Sequence, residues 1–162
     1  MTAGPSRYVA VIGAGRCGGE LAAAAAEVGR LLARAGATLI CGGMGGVMEA
    51  ACRGARGEGG VTIGILPDLS RAGGNPYLDY SICTGTGHAR NLAVAASGDA
   101  VIAVGGEAGT LSEIGLALKC GRPVVLLASW DIRQGGELPG GVREASTPAE
   151  AVELALGLIN PP

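Results

Sequence analysis

Residues Asp99–Gly121 read "DAVIAVGGEAGTLSEIGLALKCG", and the order of residue types in this stretch decides the fold. Five apolar residues, Ala100–Val104, form a run with no polar partner positions, the pattern of a strand buried on both faces. Gly105, Gly106 and Gly109 then break the run, and Thr110–Gly121 follows with apolar residues at helical spacing and a glycine stop. Strand, glycine loop and helix in immediate succession make up half of a βαβ unit.

The same unit recurs on either side. "RYVAVIG" (7–13) precedes a helix over 21–35. "ATLICGG" (37–43) precedes a short helix over 46–57, and "GVTIGILP" (60–67) ends on a proline. A loop, "DLSRAGGNPY", leads to a weaker strand in "LDYSICTG" (78–85) and a helix in "HARNLAVAAS" (88–97). Beyond the opening stretch lie a buried strand in "RPVVLLAS" (122–129) and a loop-like segment, "DIRQGGELPGGVREA" (131–145). A closing helix follows over 147–159, with Thr147 as cap, Pro148 at its first position and Glu150 at its third. This alternation predicts one doubly wound, Rossmann-like α/β domain over residues 1–162, with a mainly parallel sheet of six or seven strands. Ligands of such sheets bind beyond the carboxyl ends of the strands, at the point where strand order reverses.

Composition agrees and narrows the function classes. Apolar residues are 48% of the chain, yet there is no Phe and one Trp, so the core must be aliphatic. The net charge is −2, and the 12 basic residues (11 Arg and Lys119) form no run, which argues against a nucleic-acid partner. No apolar stretch nears 18 residues, so no membrane span is expected. The N-terminus lacks a signal-peptide pattern, and the five cysteines are odd in number with no C-x-x-C pair. Free thiols and a cytoplasmic location are therefore expected.

Three glycine loops fall where a ligand is expected. The first, Gly13-Ala14-Gly15-Arg16-Cys17-Gly18, fits G-x-G-x-x-G, but the second strand ends in Cys41-Gly42-Gly43 with no acid for a ribose, which argues against an NAD site. It reads either as a tight turn or as a phosphate loop. The single lysine excludes a P-loop and leaves pyridoxal phosphate one poor candidate, Lys119 at a helix end, so a lysine decarboxylase is not expected. The single histidine, His88, leaves no metal site. Arg90 follows the glycine turn Thr84–Gly87 and is either a solvated helix residue or a fork for phosphate or carboxylate. Thr110-Leu111-Ser112-Glu113 reads as a capping box, Thr110 at N-cap and Glu113 at N3. That leaves Gly105, Gly106 and Gly109 unexplained, unless a ligand approaches the amides at the helix start.

At these motifs the chain resembles the LOG family, cytokinin-activating nucleotide phosphoribohydrolases long mislabelled as lysine decarboxylases. Within that superfamily it is most similar to a short branch that includes molybdenum cofactor carrier proteins. The resemblance covers roughly residues 7–128. The family's P-G-G-x-G-T-x-x-E stands as Gly105–Glu113, with Gly105 for the proline and Glu107 for a glycine. Its M-H-x-R-K stands as Gly87–Asn91, with His88 and Arg90 matching and Asn91 for the lysine, and its G-G-G-x-x-G-L-M turn resembles "GGMGGVM" (42–48). The resemblance implies Arg90 and Glu113 as the catalytic pair, with Gly106, Gly109 and Thr110 cradling a phosphate. With the glycines of the other loops, the expected ligand contacts are Gly13, Gly15, Gly42, Gly43, Gly105, Gly106, Gly109 and Thr110. It further implies a homodimer or homotetramer and no required metal or cofactor. Two functions follow: hydrolysis of the N-glycosidic bond of nucleoside 5′-monophosphates or, given the departures at Gly105 and Asn91, a non-catalytic carrier of molybdenum cofactor or sensor of a nucleotide-like ligand.

Overall fold

The computed structural model describes residues 6–159. The outermost parts of the expected 1–162 domain, residues 1–5 with the start of the N-terminal reading and residues 160–162, lie outside them. Seven strands form one fully parallel sheet: β1 (Tyr8–Gly13), β2 (Thr38–Cys41), β3 (Thr62–Leu66), β4 (Tyr80–Cys83), β5 (Ala100–Val104), β6 (Val124–Leu127) and β7 (Val142–Ala145). Their order across the sheet is β4-β3-β2-β1-β5-β6-β7. The helices are α1 (Gly19–Arg34), α2 (Val47–Gly57), α3 (Arg90–Ser97), α4 (Ala108–Lys119) and α5 (Pro148–Leu158). This is the doubly wound α/β architecture the alternation predicts.

The two sheet faces divide the core. Val9, Val11, Leu39, Ile102 and Val104 point to the side covered by α1, α2 and α5, while Ala10, Ile12, Ile40, Val101 and Ala103 meet Val94 of α3 and Ile114 of α4. All five residues of β5 are 0% exposed, which explains their unbroken apolar run. Each branched side chain buried in this way contributes about 1.5–3 kcal/mol. Helices α1 and α2 meet through small residues: a Cβ added at Gly29 would stand 1.9 Å from the Ala51 carbonyl oxygen, and one at Gly54 the same distance from that of Ala26. Cys41 and Cys52 are buried in this layer, Cys17 and Cys83 are partly buried, and Cys120 is exposed.

Two local expectations are corrected. The segment 131–145, read as a loop, ends in β7, which pairs in parallel with β6 from Val124↔Val142 to Leu127↔Ala145. Only Val142 of this edge strand is buried, and Arg143 and Glu144 face solvent, so no apolar run announces it. The capping box at Thr110 is absent. Helix α4 begins at Ala108 with Glu107 as its N-cap residue, so Thr110 is its third residue and Glu113 its sixth. The cause lies just before: Gly105 and Gly106 take φ of 58° and 137°, which turns the chain at the strand end and starts the helix early. Leu111 N–H then donates to the Glu107 carbonyl at 3.0 Å. The cap expected at the last helix is present, with Thr147 Oγ1 accepting from the Glu150 N–H at 3.2 Å.

Candidate functional site

Strand order reverses between β1 and β5. The chain leaving β1 passes to α1 on one face, the chain leaving β5 passes to α4 on the other, and the two loops diverge. A cleft of ≈ 180 Å³ opens there, where the doubly wound fold places ligands. The first and third glycine loops supply two of its walls, Gly13-Ala14-Gly15 on one side and Glu107, Gly109 and Thr110 on the other, while Gly42 and Arg90 close the third.

The glycines divide by role. A Cβ at Gly13 would lie 2.5 Å from the Val104 carbonyl oxygen, and one at Gly105 2.4 Å from Leu21 Cδ2, so both residues serve packing. At Gly106 it would meet Thr110 Cβ at 2.7 Å, and at Gly43, which has φ of 76°, Leu66 Cδ2 at 2.6 Å. Gly43, Gly105 and Gly106 stand behind the lining rather than in it. Gly15 and Gly109 line the cleft, and nothing lies within 4 Å of a Cβ built on either. Their open side is room beside bare backbone. The amides of Ala108, Gly109 and Thr110 begin α4 and have no intrahelical acceptor, and Glu107 makes no side-chain cap to them. Such amides, with the helix dipole behind them, favour an anion.

Arg90, the first residue of α3, reaches across the cleft. Its Nη2 donates to the Gly42 carbonyl at 3.3 Å and its Nη1 to Asn91 Oδ1, and the side chain is 10% exposed. Gly42 leaves room for this path, since a Cβ there would lie 2.7 Å from Nη2 and move the guanidinium. Arg90 Nε is buried and has no acceptor among the described residues, an uncommon condition for a charged donor. Glu113, from the second turn of α4, faces the same guanidinium with Oε1 3.8 Å from Nη1, close enough to pair by charge but too far to hydrogen-bond. Burial pushes the Glu113 carboxyl up to about 7, and the nearby Arg90 charge only partly offsets it. His88 sits exposed at the rim.

The structure therefore brings Arg90, Glu113, Thr110, Gly13, Gly15, Gly42 and Gly109 together. It also adds Asn91, which sequence reasoning passed over except as a departure from the family lysine. Asn91 is 7% exposed, accepts from Arg90 and donates to Ser112 Oγ at 3.4 Å; Ser112 Oγ in turn donates to the Gly109 carbonyl at 2.6 Å. A hydrogen-bonded path thus runs from the arginine to the start of α4. The adjacency Arg90-Asn91 at a helix start is the one sequence signal that could have exposed it.

A doubly wound parallel domain with an arginine-walled, amide-lined cleft at its switch point has the architecture of a small-molecule binding domain, with donors suited to an anion. More particularly, residues 6–152 match the model of the SLOG cluster4 family, and the chain belongs to that family. It is 44% identical over 151 residues to an uncharacterized protein of Archaeoglobus fulgidus, covering 91% of this chain and 93% of that one. Among solved structures, it is similar to the molybdenum cofactor binding protein of Rippkaea orientalis, with 36% identity, a TM-score of 0.86, and coverage of 96% of this chain and 98% of that one. The molybdenum cofactor carrier protein of Chlamydomonas reinhardtii matches with 34% identity, a TM-score of 0.84, and coverage of 94% and 98%. Among the described residues no helix is long and apolar enough to cross a membrane, and no group of three or more His, Cys, Asp or Glu residues is arranged to hold a metal ion.

Proposed function

We propose that the protein is a cytoplasmic, homo-oligomeric carrier of a phosphorylated pterin of the molybdenum cofactor class, held as cargo in the cleft between the β1 and β5 loops. The observation that carries this reading is the pairing of free amides at the α4 start with the Arg90 guanidinium, which lines the same cleft. An anionic group entering beside Gly15 and Gly109 would meet backbone donors and a positive charge without displacing a side chain. The solved relatives named for binding or carrying molybdenum cofactor support the same choice. The expectation of nucleoside 5′-monophosphate hydrolysis gains no such support. It keeps one motivating feature, a buried Glu113 that titrates near neutrality and could act on a sugar.

Anaerobic reconstitution tests the proposal. Purified protein incubated with molybdenum cofactor should retain it through gel filtration, and Arg90→Gln should not. Retention equal in both proteins, or in neither, overturns it. Release of ribose 5-phosphate from AMP by wild-type protein but not by Glu113→Ala would restore the hydrolase. Light scattering on the same column reads the oligomer.

A further inference from the structure

The switch-point cleft, at ≈ 180 Å³, is smaller than the roughly 300 Å³ at which pockets for drug-sized ligands begin. It has room for a phosphate and the atoms next to it, not for a fused heterocycle as well. More room lies alongside. A groove of ≈ 290 Å³ opens at the C-terminal ends of β6 and β7, walled by Ala128, Ser129, Trp130, Asp131 and Glu144.

Two hydrogen bonds join this groove to the α4 start. Ser129 Oγ donates to the Gly105 carbonyl at 2.5 Å, and Trp130 Nε1–H donates to the Glu107 carbonyl at 3.2 Å. Glu107 lines the switch-point cleft. Trp130 is therefore held by one ring edge to the N-cap residue of α4, yet it remains 39% exposed. Ala128, at φ of 48°, is the only non-glycine residue with a positive φ among the described residues, and its turn carries the chain from β6 to Trp130. Arg133 joins two carboxylates of the groove, donating to Asp131 Oδ1 at 2.8 Å and to Glu144 Oε2 at 2.6 Å. The second oxygen of each carboxylate is free to accept an N–H from a ligand.

We propose that Trp130 is the stacking platform for a planar nitrogen heterocycle, and that the β6–β7 groove is the ring subsite of the ligand whose phosphate lies at the α4 start. The inference rests on the phosphate-cleft reading above and gives it a substrate class: a phosphate joined to an aromatic ring whose edge carries N–H donors. A fixed indole suits this task because stacking needs a rigid, partly exposed ring face and costs little conformational freedom.

The chain has one tryptophan, so its single indole N–H resonance reports the subsite directly. Three probes separate the parts: glycerol 3-phosphate, a phosphorylated 6-alkylpterin, and the same pterin without phosphate. The pterin phosphate should move the indole resonance well beyond any shift caused by glycerol 3-phosphate. Trp130→Leu should weaken the pterin phosphate about tenfold by calorimetry, and Trp130→Phe by less than about threefold, with glycerol 3-phosphate unchanged in both. Equal indole shifts from the two phosphates, together with unaltered pterin phosphate binding by Trp130→Leu, would overturn the ring subsite while leaving the phosphate cleft standing. If glycerol 3-phosphate does not bind and the pterin with and without phosphate binds equally, the cleft reading fails and Trp130 remains a ring platform without a phosphate site beside it. If no probe binds, both readings fall.

Discussion

Arg90 Nη1 and Glu113 Oε1 stand 3.8 Å apart in the switch-point cleft, paired by charge but not hydrogen-bonded. Both side chains are about nine-tenths buried, so each has lost most of its water. Glu113 carries a carboxyl raised from 4.5 to about 7 by burial, which the Arg90 charge only partly offsets. The folded protein thus holds the Glu113 proton more tightly than the unfolded chain does. Stability from this group is fully present below pH ~4.5 and is lost as pH rises through about 7. Wild type minus Glu113→Gln should therefore fall in unfolding free energy by on the order of 3 kcal/mol across that window, at about 1.4 kcal/mol per pKa unit. Urea unfolding of both proteins at several pH values measures it, and a flat difference would reject it.

The same pair governs the anion. A phosphate brought beside Glu113 disfavours the ionised carboxylate, so binding at neutral pH should take up a proton. Glycerol 3-phosphate should lose affinity between pH 6 and pH 8 in wild type relative to Glu113→Gln measured in the same buffers, a comparison that cancels the titration of the phosphate itself. Calorimetry in buffers of different ionisation enthalpy would count the proton directly.

Arginine at position 90 is required as a fork and not only as a charge. Its Nη atoms are engaged with Gly42 and Asn91, which fixes the guanidinium plane at the cleft wall. Arg90→Gln should weaken glycerol 3-phosphate about 10- to 100-fold, the range of a charge-assisted hydrogen bond. Arg90→Lys should recover only part of that loss, because an ammonium cannot reproduce the planar geometry. Full recovery by lysine would reduce the site to a point charge.

Glycine variants separate packing from binding. Gly109→Ala and Gly15→Ala place a methyl in open space, so both should fold, and the helical Gly109→Ala should gain a few tenths to about 1 kcal/mol. Both should nonetheless impair phosphate binding, because the methyl occupies the ligand's approach. Gly105→Ala should do the reverse and destabilise outright, since it meets Leu21 at 2.4 Å in a left-handed backbone conformation. Thermal melts and calorimetry on the three variants read both effects.

What the sequence made legible follows from physics that is local along the chain. Unbroken apolar runs such as Ala100–Val104 mark strands buried on both faces, and glycine clusters mark their carboxyl ends, so the parallel sheet and the position of its cleft could be read directly. Edge strand β7 could not, because Val142-Arg143-Glu144-Ala145 owes its strand to pairing with β6 and carries no apolar signature. The link from Asn91 through Ser112 to Gly109 joins residues 18 to 21 positions apart and exists only once α3 and α4 pack side by side.

The capping signal shows the limit most clearly, and it can be tested in one pair of variants. Thr110-x-x-Glu113 and Thr147-x-x-Glu150 carry the same S/T-x-x-E pattern. Only the second is a cap, with Thr147 Oγ1 accepting from Glu150 N–H and Glu150 Oε2 from Ser146 N–H at 2.7 Å. At the first, the backward turn of Gly105 and Gly106 starts the helix two residues before Thr110, which sends Thr110 and Glu113 inward to the cleft at 2% and 6% exposure. Thr147→Ala should therefore cost about 1 kcal/mol of stability and leave phosphate binding intact. Thr110→Val, which keeps the shape and removes a hydroxyl that makes no hydrogen bond among the described residues, should change stability by less than about 0.5 kcal/mol and weaken phosphate binding. A stability loss at Thr110 matching that at Thr147 would mean that the hydroxyl caps α4 after all.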